Sequence, residues 1–381
     1  MKKPLEGITV LEFCQYTAGP HAGLRLADLG ARVIKVERPK YGDAGRQLAT
    51  KSMWADGDSV LFHTLNRNKQ SFVADLKRAD DIELIKKLIA KVDVITHNFR
   101  PGTMQRLGLD YATVKQINPS LVYAEVSGYG EEGPWRSKPG QDLLAQAMSG
   151  LTWLSGNQQQ VPTPFGSAVI DTLCGTHLVQ GVLAALVRKR RTGQGAKVEV
   201  SLMESVVDFQ FEGLTAYLNN PEFAPVRSVQ SNAHAYLGAP YGVYQTSDGY
   251  IALAMGDLSQ LNTVLNSAEL EDYCHDELYF TARDEAKAII ANVLKRRPSA
   301  YWLSRLQRIG FWCSEVYDYP TLTKSAGYQA LDMEQVVTRD KATQLRTTRC
   351  PIRINGQVIK STKAAPRLGQ DNGRVSEEFG L

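Results

Sequence analysis

The sequence of 381 residues has only five cysteines and six histidines, and both residue types are scattered. No CxxC, HxxH or HExxH pair occurs among them, so their spacing indicates neither a zinc site nor another metal site. An odd, unpaired set of cysteines gives no disulfide framework and favours a reducing compartment. We therefore expect a cytoplasmic protein without a metal. The cysteines are Cys14, Cys174, Cys274, Cys313 and Cys350, and the histidines are His21, His63, His97, His177, His234 and His275.

Long apolar runs and strong net charge are also lacking. No apolar run approaches the ~20 residues that span a bilayer. Glu6 and Glu12 interrupt the segment that a signal peptide needs to keep apolar. The net charge is +4, and the one dense basic cluster, Arg188–Arg191, ends an apolar helical stretch just before Gly193. Cations at that place complement the helix dipole. We therefore expect neither a nucleic acid nor a membrane as a partner.

The first two hundred residues alternate between strand and helix patterns. Short apolar runs predict strands, and helical periodicity separates them, as at Ile82–Lys91. Strands joined by helices imply right-handed crossovers and a mostly parallel sheet, so the sequence predicts an α/β domain. The predicted strands are Ile8–Phe13, Arg32–Val36, Val92–Thr96, Leu121–Val126 and Lys197–Leu202.

The pattern changes after residue 218. The stretch Asn219–Pro221 suggests a linker, and Gly242–Met255 predicts a hairpin that turns at Asp248-Gly249. Helical stretches follow at 258–267, 283–295 and 299–308. We predict a large domain over 1–218, a linker over 219–240, a small α+β domain over 241–325, and a return segment over 326–381 that completes the large domain.

The first predicted strand, turn and helix resemble a dinucleotide site superficially, but the glycine fingerprint is absent. The turn Gln15–Pro20 contains no GxGxxG, and without those glycines the backbone cannot approach a pyrophosphate closely. Glu37 follows the turn at about the sequence separation at which such sites have the acidic residue that holds the ribose. Arg38 beside it suits a phosphate instead. Hydride transfer on NAD is therefore not favoured.

Several long phrases, in order over residues 1–205, resemble the class III CoA-transferase family, the group of formyl-CoA transferase and carnitine CoA-transferase. They include LADLGARVIKVERPKYGDAGR (26–46), HNFRPGTMQRLGLDY (97–111), INPSLVYAEVSGYGEEGPW (117–135), PGQDLLAQAMSG (139–150) and IDTLCGTHLVQGVLAAL (170–186). The resemblance implies a Rossmann-like large domain, a smaller α+β domain and a homodimer whose two chains interlock.

The resemblance also implies the chemistry. CoA would pass from a short acyl-CoA, acetyl-CoA or formyl-CoA, to a small carboxylic acid such as oxalate, with succinate and other short acids as alternatives. CoA and acyl-CoA would act as substrates, and we expect no permanently bound cofactor.

Asp171 is the predicted catalytic residue. On spacing alone it is a helix N-cap, since it directly precedes a long helical stretch. The resemblance places the family's nucleophilic aspartate at this position. It further implies that Arg38 flanks the adenine and 3′-phosphate of CoA. The other CoA-binding positions that the resemblance implies are Arg106 and Lys138 near the phosphates, Asn98 and Phe99 along the nucleotide or pantetheine path, and Gln15, Tyr16 and Ala18 near the reacting carbonyl.

α-Methylacyl-CoA racemases, which share the fold and the aspartate, are the alternative within the family. Their proton transfer needs a second acid–base group, which a histidine in a Gly-His-Asp stretch supplies. This chain has Gly140-Gln141-Asp142 instead. His177 follows Asp171 by six residues, about 240° further round a helix, so it should point elsewhere. The formyl-CoA relative also covers its site with a Gly-rich loop, whereas the corresponding stretch here, 232–239, has a single glycine.

Overall fold

The computed structural model describes residues 3–275, 278–340 and 342–381. Their contacts divide the chain into two compact units. The first unit comprises Met1–Ala145, Ala168–Val206 and Asp332–Leu381, and the second comprises Gln146–Ser167 and Val207–Leu331. The linker and domain boundaries predicted from the sequence stay a prediction. The C-terminal segment nevertheless joins the N-terminal residues in one unit.

The strands of the first unit come from both ends of the chain, and those of the second unit come from the intervening part of the sequence. In chain order the strands are β1 (Thr9–Phe13), β2 (Arg32–Glu37), β3 (Trp54–Ala55), β4 (Asp58–Ser59), β5 (Gln70–Val73), β6 (Val94–His97), β7 (Val122–Ser127), β8 (Ala196–Ser201), β9 (Gly242–Gln245), β10 (Tyr250–Leu253), β11 (Cys313–Glu315), β12 (Glu334–Thr338), β13 (Gln344–Thr348), β14 (Arg353–Ile354) and β15 (Gln357–Val358).

The helices follow the same numbering. They are α1 (Ala18–Asp28), α2 (Val60–Asn66), α3 (Ala79–Ile89), α4 (Thr103–Arg106), α5 (Tyr111–Ile117), α6 (Asp142–Met148), α7 (Leu151–Leu154), α8 (Val169–Thr192), α9 (Leu202–Phe209), α10 (Phe211–Asn219), α11 (Leu258–Leu265), α12 (Ala268–Glu271), α13 (Leu278–Thr281), α14 (Arg283–Leu294), α15 (Ser299–Arg308), α16 (Tyr319–Lys324), α17 (Ala326–Leu331) and α18 (Asn372–Phe379), with short 3₁₀ turns at Ala44–Gln47 and Thr50–Ser52.

A six-stranded parallel sheet forms the centre of the first unit, in the order β5-β2-β1-β6-β7-β8. Counted along the chain, this is the 3-2-1-4-5-6 order of a Rossmann fold, which reverses direction between β1 and β6. The predicted α/β fold with a parallel sheet is confirmed. Each predicted strand matches an observed strand to within two residues at either end, whereas β5 was not predicted.

Alternation along β1 divides its side chains between the two faces of the sheet. Leu11 and Phe13 pack with α3, whose Ile85, Leu88 and Ile89 are fully buried. Glu12 points to the opposite face, where α1 lies so close that a Cβ on Gly23 would fall 1.7 Å from its Oε2. Helices therefore cover both faces, and Val10–Phe13 of β1 are buried whichever face their side chains point to.

Helix α8 is long and apolar enough to cross a membrane by length and composition, the one such helix in the described residues. Its Cys174, Leu178 and Val182 are fully buried, and the helix packs on α1, β7 and β8. The core helix of an α/β domain passes the same test of length and composition. The packing therefore identifies α8 as part of the core of the first unit.

The second unit has a three-stranded antiparallel sheet, β11-β10-β9, packed with helices. The predicted hairpin over 242–255 is confirmed as β9 and β10, which turn at Asp248-Gly249. The three helical stretches predicted after it are confirmed as α11, α14 and α15. The core of this unit joins Tyr244 and Ile251 of the hairpin to Leu261, Ile290 and Trp302 of those helices.

Helices α1 and α8 approach closely at Gly175. A Cβ there would lie 2.6 Å from the carbonyl oxygen of Ala18 and 2.8 Å from Nδ1 of His21. Replacing Gly175 by Ala should therefore lower the free energy of unfolding by about 1–3 kcal/mol. The matched control is Gly373→Ala in α18, where a Cβ meets nothing within 4 Å. The free energy of unfolding of that variant should rise by about 0.5–1 kcal/mol. Urea unfolding measures both, and equal effects of the two substitutions would contradict the close packing.

Candidate active site

The turn after β1 and the loop after β6 lie side by side, because parallel strands end at the same edge of a sheet. The backbone N–H of Gln15 donates to Oδ1 of Asn98 at 2.8 Å, and Nδ2 of Asn98 donates to the carbonyl oxygen of Gln15 at 2.7 Å. This reciprocal pair joins the two segments at the point where the strand order reverses. Ligands of open α/β sheets bind in the crevice at such a point.

Tyr16 occupies an unusual backbone conformation in this turn. Its φ is +64°, in the left-handed region that bulky residues rarely adopt. The residue is 54% exposed. Strained backbone of this kind costs of order 1–3 kcal/mol and persists only where surrounding contacts hold it. Contacts with the surrounding residues therefore hold this turn in its strained conformation.

A cavity of about 580 Å³ opens at this edge of the sheet, with all its walls from the first unit. It brings together six of the nine residues predicted for the site. These are Tyr16, Ala18, Asn98, Phe99, Lys138 and Asp171. Thr17, Arg100, Arg136 and Gln141 also line it. The cavity thus combines one carboxylate with several cationic and polar side chains.

The other three predicted residues do not line this cavity in the described structure. Gln15 contributes the backbone groups that hydrogen-bond the side chain of Asn98, a residue of the cavity wall. Arg38 is exposed, stacks 5.8 Å from the ring centroid of Tyr41, and donates through Nε to the carbonyl oxygen of Gly42 at 2.9 Å. Arg106 is exposed and donates to Oγ1 of Thr103. Their roles in binding CoA stay predictions.

Asp171 lies in the first turn of α8, and the N-cap residue of that helix is Ala168, which offers no side-chain hydrogen bond. The interpretation of Asp171 as the N-cap is therefore wrong. The cap comes from far along the chain. Oδ2 of Asp142 accepts hydrogen bonds from the backbone N–H groups of Ile170 at 2.8 Å and Asp171 at 2.9 Å. These donors belong to the first turn, whose N–H groups have no partner within the helix.

Two glycines position the segment that leads into Asp142, the first residue of α6. A Cβ on Gly128 would lie 2.7 Å from Cα of Gly140, and a Cβ on Gly140 would lie 2.6 Å from Cα of Gly128. The backbone after β7 therefore crosses the segment before α6 at a distance that only glycine allows. This crossing brings Gln141 into the cavity wall and Asp142 against the start of α8.

The surroundings of Asp171 disfavour its charged form. Burial, together with the negative charge of Asp142, raises the pKa of the Asp171 carboxyl from 3.8 to about 7. The hydroxyl of Thr17 hydrogen-bonds the carboxylate and acts in the opposite direction. The group therefore changes its protonation near neutral pH, as reactive carboxyl groups in clefts often do.

The structure also bears on the alternatives considered from the sequence. His177 pairs through Nδ1 with Oγ of Ser205 at 3.0 Å, and it is not among the residues that line the described cavity. Gln141, which stands in the sequence where the racemase motif has its histidine, lines the cavity. Glu37 is buried and accepts from Arg46 at 2.7 Å and from Ser71 at 2.6 Å. Its carboxylate is therefore occupied within the protein, and this argues against a ribose site.

Sequence reasoning missed Thr17 and Asp142 as functional residues. Thr17 sits between two predicted positions, Tyr16 and Ala18, so the turn itself was a signal that could have found it. Asp142 was noted only as part of the stretch that replaces the racemase motif. Its contact with Asp171 spans 29 residues, and no local pattern predicts it.

Comparison with known proteins agrees with this architecture. The model of the CoA-transferase family III matches residues 5–372. The chain is 30% identical to the acetyl-CoA:oxalate CoA-transferase of Acetobacter aceti over 389 residues, with 99% of this chain and 96% of that protein covered. It is also 30% identical to the succinate–glutarate CoA-transferase of Agrobacterium fabrum, with 99% and 96% covered.

Solved structures give the same result. The crystal structure of a CAIB/BAIF family protein from Brucella suis superposes with a TM-score of 0.85 at 30% identity, covering 100% of both chains. The chain therefore belongs to CoA-transferase family III. The family predicted from the sequence motifs is confirmed, and with it a class III CoA-transferase acting on acyl-CoA and carboxylate substrates.

Replacing Asp171 by Asn should stabilise the protein more as the pH rises. The unfolded carboxyl loses its proton near a pH of about 3.9, whereas the folded one keeps it until about 7. The wild type therefore loses stability through this window, and a non-ionising Asn does not. Urea unfolding at several pH values measures the difference. Asp80→Asn, at a carboxylate whose side chain is 88% exposed, is the control. A gain that is constant with pH would contradict the raised pKa.

Replacing Asp142 by Asn should lower the pKa of Asp171 below about 7. The amide oxygen can still accept from the two backbone N–H groups, but the neighbouring negative charge is gone. Carbon-13 NMR of protein labelled at the aspartate carboxyl carbons follows the titration, and the Asp171→Asn spectrum assigns the signal. An unchanged midpoint would show that Asp142 caps the helix without influencing the nucleophile.

Proposed function

We propose that this chain transfers CoA from a short acyl-CoA to a small carboxylic acid through covalent intermediates on Asp171. The observation that supports this proposal best is the placement of Asp171. Its carboxyl group lines a cavity at the switch point of the sheet, in the first turn of a helix and beside the hydroxyl of Thr17. A helix N-terminus favours a negative charge, so the ionised form needed for attack is available despite burial.

The first half of the reaction consumes the donor. An oxygen of the Asp171 carboxylate attacks the thioester carbonyl carbon, the C–S bond breaks, and CoA leaves as the thiolate. The resulting mixed anhydride is then attacked by that thiolate at the Asp171 carbonyl carbon. The donor acid leaves as a carboxylate, and Asp171 becomes an aspartyl-CoA thioester. Two easier steps replace one difficult exchange.

The second half runs the same steps in reverse with the acceptor. Its carboxylate attacks the aspartyl thioester, CoA leaves as the thiolate, and the thiolate then attacks the acceptor carbonyl of the new anhydride. Free Asp171 and the new acyl-CoA are the products. No water and no net proton is consumed, so the thioester energy is retained provided that water is excluded.

The cavity wall supports binding of CoA in the predicted orientation. Lys138, with Arg100 and Arg136, offers positive charge for the diphosphate, and Asn98 and Phe99 line the same wall for the pantetheine chain. Cationic side chains are the usual partners of phosphate groups. Arg38 and Arg106 would act further out, on the adenine and the 3′-phosphate. CoA is a substrate in this account, and no permanently bound cofactor is invoked.

For the substrates we propose acetyl-CoA or formyl-CoA as the donor and oxalate as the acceptor. The oxalate enzyme of Acetobacter aceti supports this choice. The succinate–glutarate enzyme is equally similar, so succinate and glutarate are the rival acceptors. An interlocked homodimer and a cytoplasmic location belong to the same proposal. Exposed apolar side chains in the second unit, Phe211, Leu218 and Phe223, support burial against a second chain.

The test is identification of the CoA thioesters formed from acetyl-CoA or formyl-CoA and a panel of carboxylates. Mass spectrometry of the reaction with oxalate should show oxalyl-CoA, and the Asp171→Ala variant should form none. If a different thioester dominates, the acid it contains is the acceptor in place of oxalate, and the proposed transferase activity stands. Absence of any new thioester with every pair would contradict the proposal, and exchange of the α-proton of a branched acyl-CoA would then favour the racemase.

A further inference from the structure

The turn that carries Tyr16 and Thr17 rests on a buried pair of opposite charges. Lys35 of β2 is fully buried and Asp43 is 2% exposed. Nζ of Lys35 lies 2.8 Å from Oδ2 of Asp43. Charges are placed this deep in a protein only when they are paired. Neither residue was singled out from the sequence.

Asp43 reaches the turn through its other oxygen. Oδ1 accepts from the backbone N–H of Tyr16 at 3.2 Å and from that of Gly45 at 2.8 Å. Tyr16 is the residue with the left-handed φ of +64°. The hydrogen bond to Asp43 therefore acts on the one residue of the turn whose conformation needs external support.

Lys35 also contacts the residue that precedes this turn. Its Nζ donates to the carbonyl oxygen of Cys14 at 2.7 Å and lies 3.0 Å from Oε1 of Glu12. Cys14 directly precedes the turn. Lys35 thus holds the residue before the turn directly and Tyr16 through Asp43, so a single buried ammonium group fixes both sides of Gln15.

The charges of this cluster are balanced. Glu12 is fully buried and also accepts from Nζ of Lys69 at 2.9 Å. Two ammonium groups therefore face two carboxylates. Burial lowers the pKa of Lys35, but the charges of Asp43 and Glu12 outweigh it and hold that pKa above its usual value, so Lys35 stays charged. Removal of one carboxylate would leave a buried cation short of a partner.

We propose that Asp43, neutralised by Lys35, is a positioning residue for the transfer reaction, because it holds the Tyr16 turn in the conformation that presents Thr17 to Asp171. The inference rests on the proposed function, since the reaction is what the positioning serves. A buried ion pair adds little net stability compared with apolar packing. The structure assigns the Lys35–Asp43 pair a role in geometry, because displacing a reacting group by about 1 Å can lower the rate about 100-fold.

The experiment compares Asp43→Ala and Asp43→Asn with Asp28→Asn. Asp28 is the matched control because it is also 2% exposed, and it pairs with the buried Arg67. It lies at the far end of α1, about 15 Å from the turn along that helix. The measurements are the free energy of unfolding, kcat, KM for the acyl-CoA, and hydrogen exchange of the backbone amides of residues 15–17.

We expect Asp43→Ala to lower kcat about 100-fold while KM for the acyl-CoA changes little, and to speed exchange at Tyr16. Asp43→Asn keeps an oxygen that can accept from Tyr16, so it should recover part of kcat and of the protection. Asp28→Asn should destabilise the protein but leave kcat and the exchange of the turn unchanged.

Equal kcat and equal exchange in the Asp43 variants and Asp28→Asn would overturn the inference, since Asp43 would then serve stability alone. If Asp43→Ala does not fold, Asp43→Asn gives the same comparison. If the wild type forms no thioester with any acid, the proposed function fails. Hydrogen exchange then still decides the inference, because faster exchange at Tyr16 in the Asp43 variants alone supports it and equal exchange contradicts it.

Discussion

The two hydrogen bonds that Asp142 accepts from the backbone N–H groups of Ile170 and Asp171 position the candidate nucleophile, and they bring a carboxylate beside it whose charge adds to the effect of burial on its ionisation. They satisfy the first turn of α8 and so fix where that turn begins. The same carboxylate places a negative charge beside Asp171 and helps to raise its pKa to about 7. One interaction therefore couples the geometry of the helix to the reactivity of the side chain. The close crossing of Gly128 and Gly140 is what allows Asp142 to reach that place.

The sheet supplies the other half of the site. Because β1 and β6 end at the point where the strand order reverses, their following segments face a common crevice. Asn98 ties the two segments together, and Asp43 and Lys35 support the strained Tyr16 from within the core. The nucleophile and the turn that faces it are thus held by separate networks. Both networks join buried polar groups, such as Asp142 and Asp43, to partly buried ones, and such networks fix a single conformation at some cost in stability.

The sequence was informative where the structure is governed by local or periodic patterns. Adjacent apolar residues such as Val10-Leu11 and Val33-Ile34 predicted strands, and these residues are buried because helices cover both faces of the sheet. Strand β5 was missed because its four residues, Gln70–Val73, include only two apolar ones. Its outer edge is hydrogen-bonded by Asp371 and Asn372, which lie some three hundred residues later.

The site could be predicted only in part for the same reason. Motif resemblance located six of the residues gathered in the cavity, and Asp171 is one of them. The cap from Asp142, the hydrogen bond from Thr17 and the support from Asp43 are contacts between segments distant in the sequence. Composition and residue spacing do not predict such contacts, because each contact depends on the order of the strands in the sheet. The N-cap interpretation of Asp171 failed for this reason.

The most direct test of the central claim is peptide-level mass spectrometry of the protein quenched during turnover with acyl-CoA. The account predicts that the peptide containing Asp171 carries an added mass equal to CoA minus one water, which is the aspartyl-CoA thioester. The modification should disappear when excess acceptor acid is added before the quench. A transferase that turns over without any such mass on Asp171, or with the modification on another residue, would contradict the account.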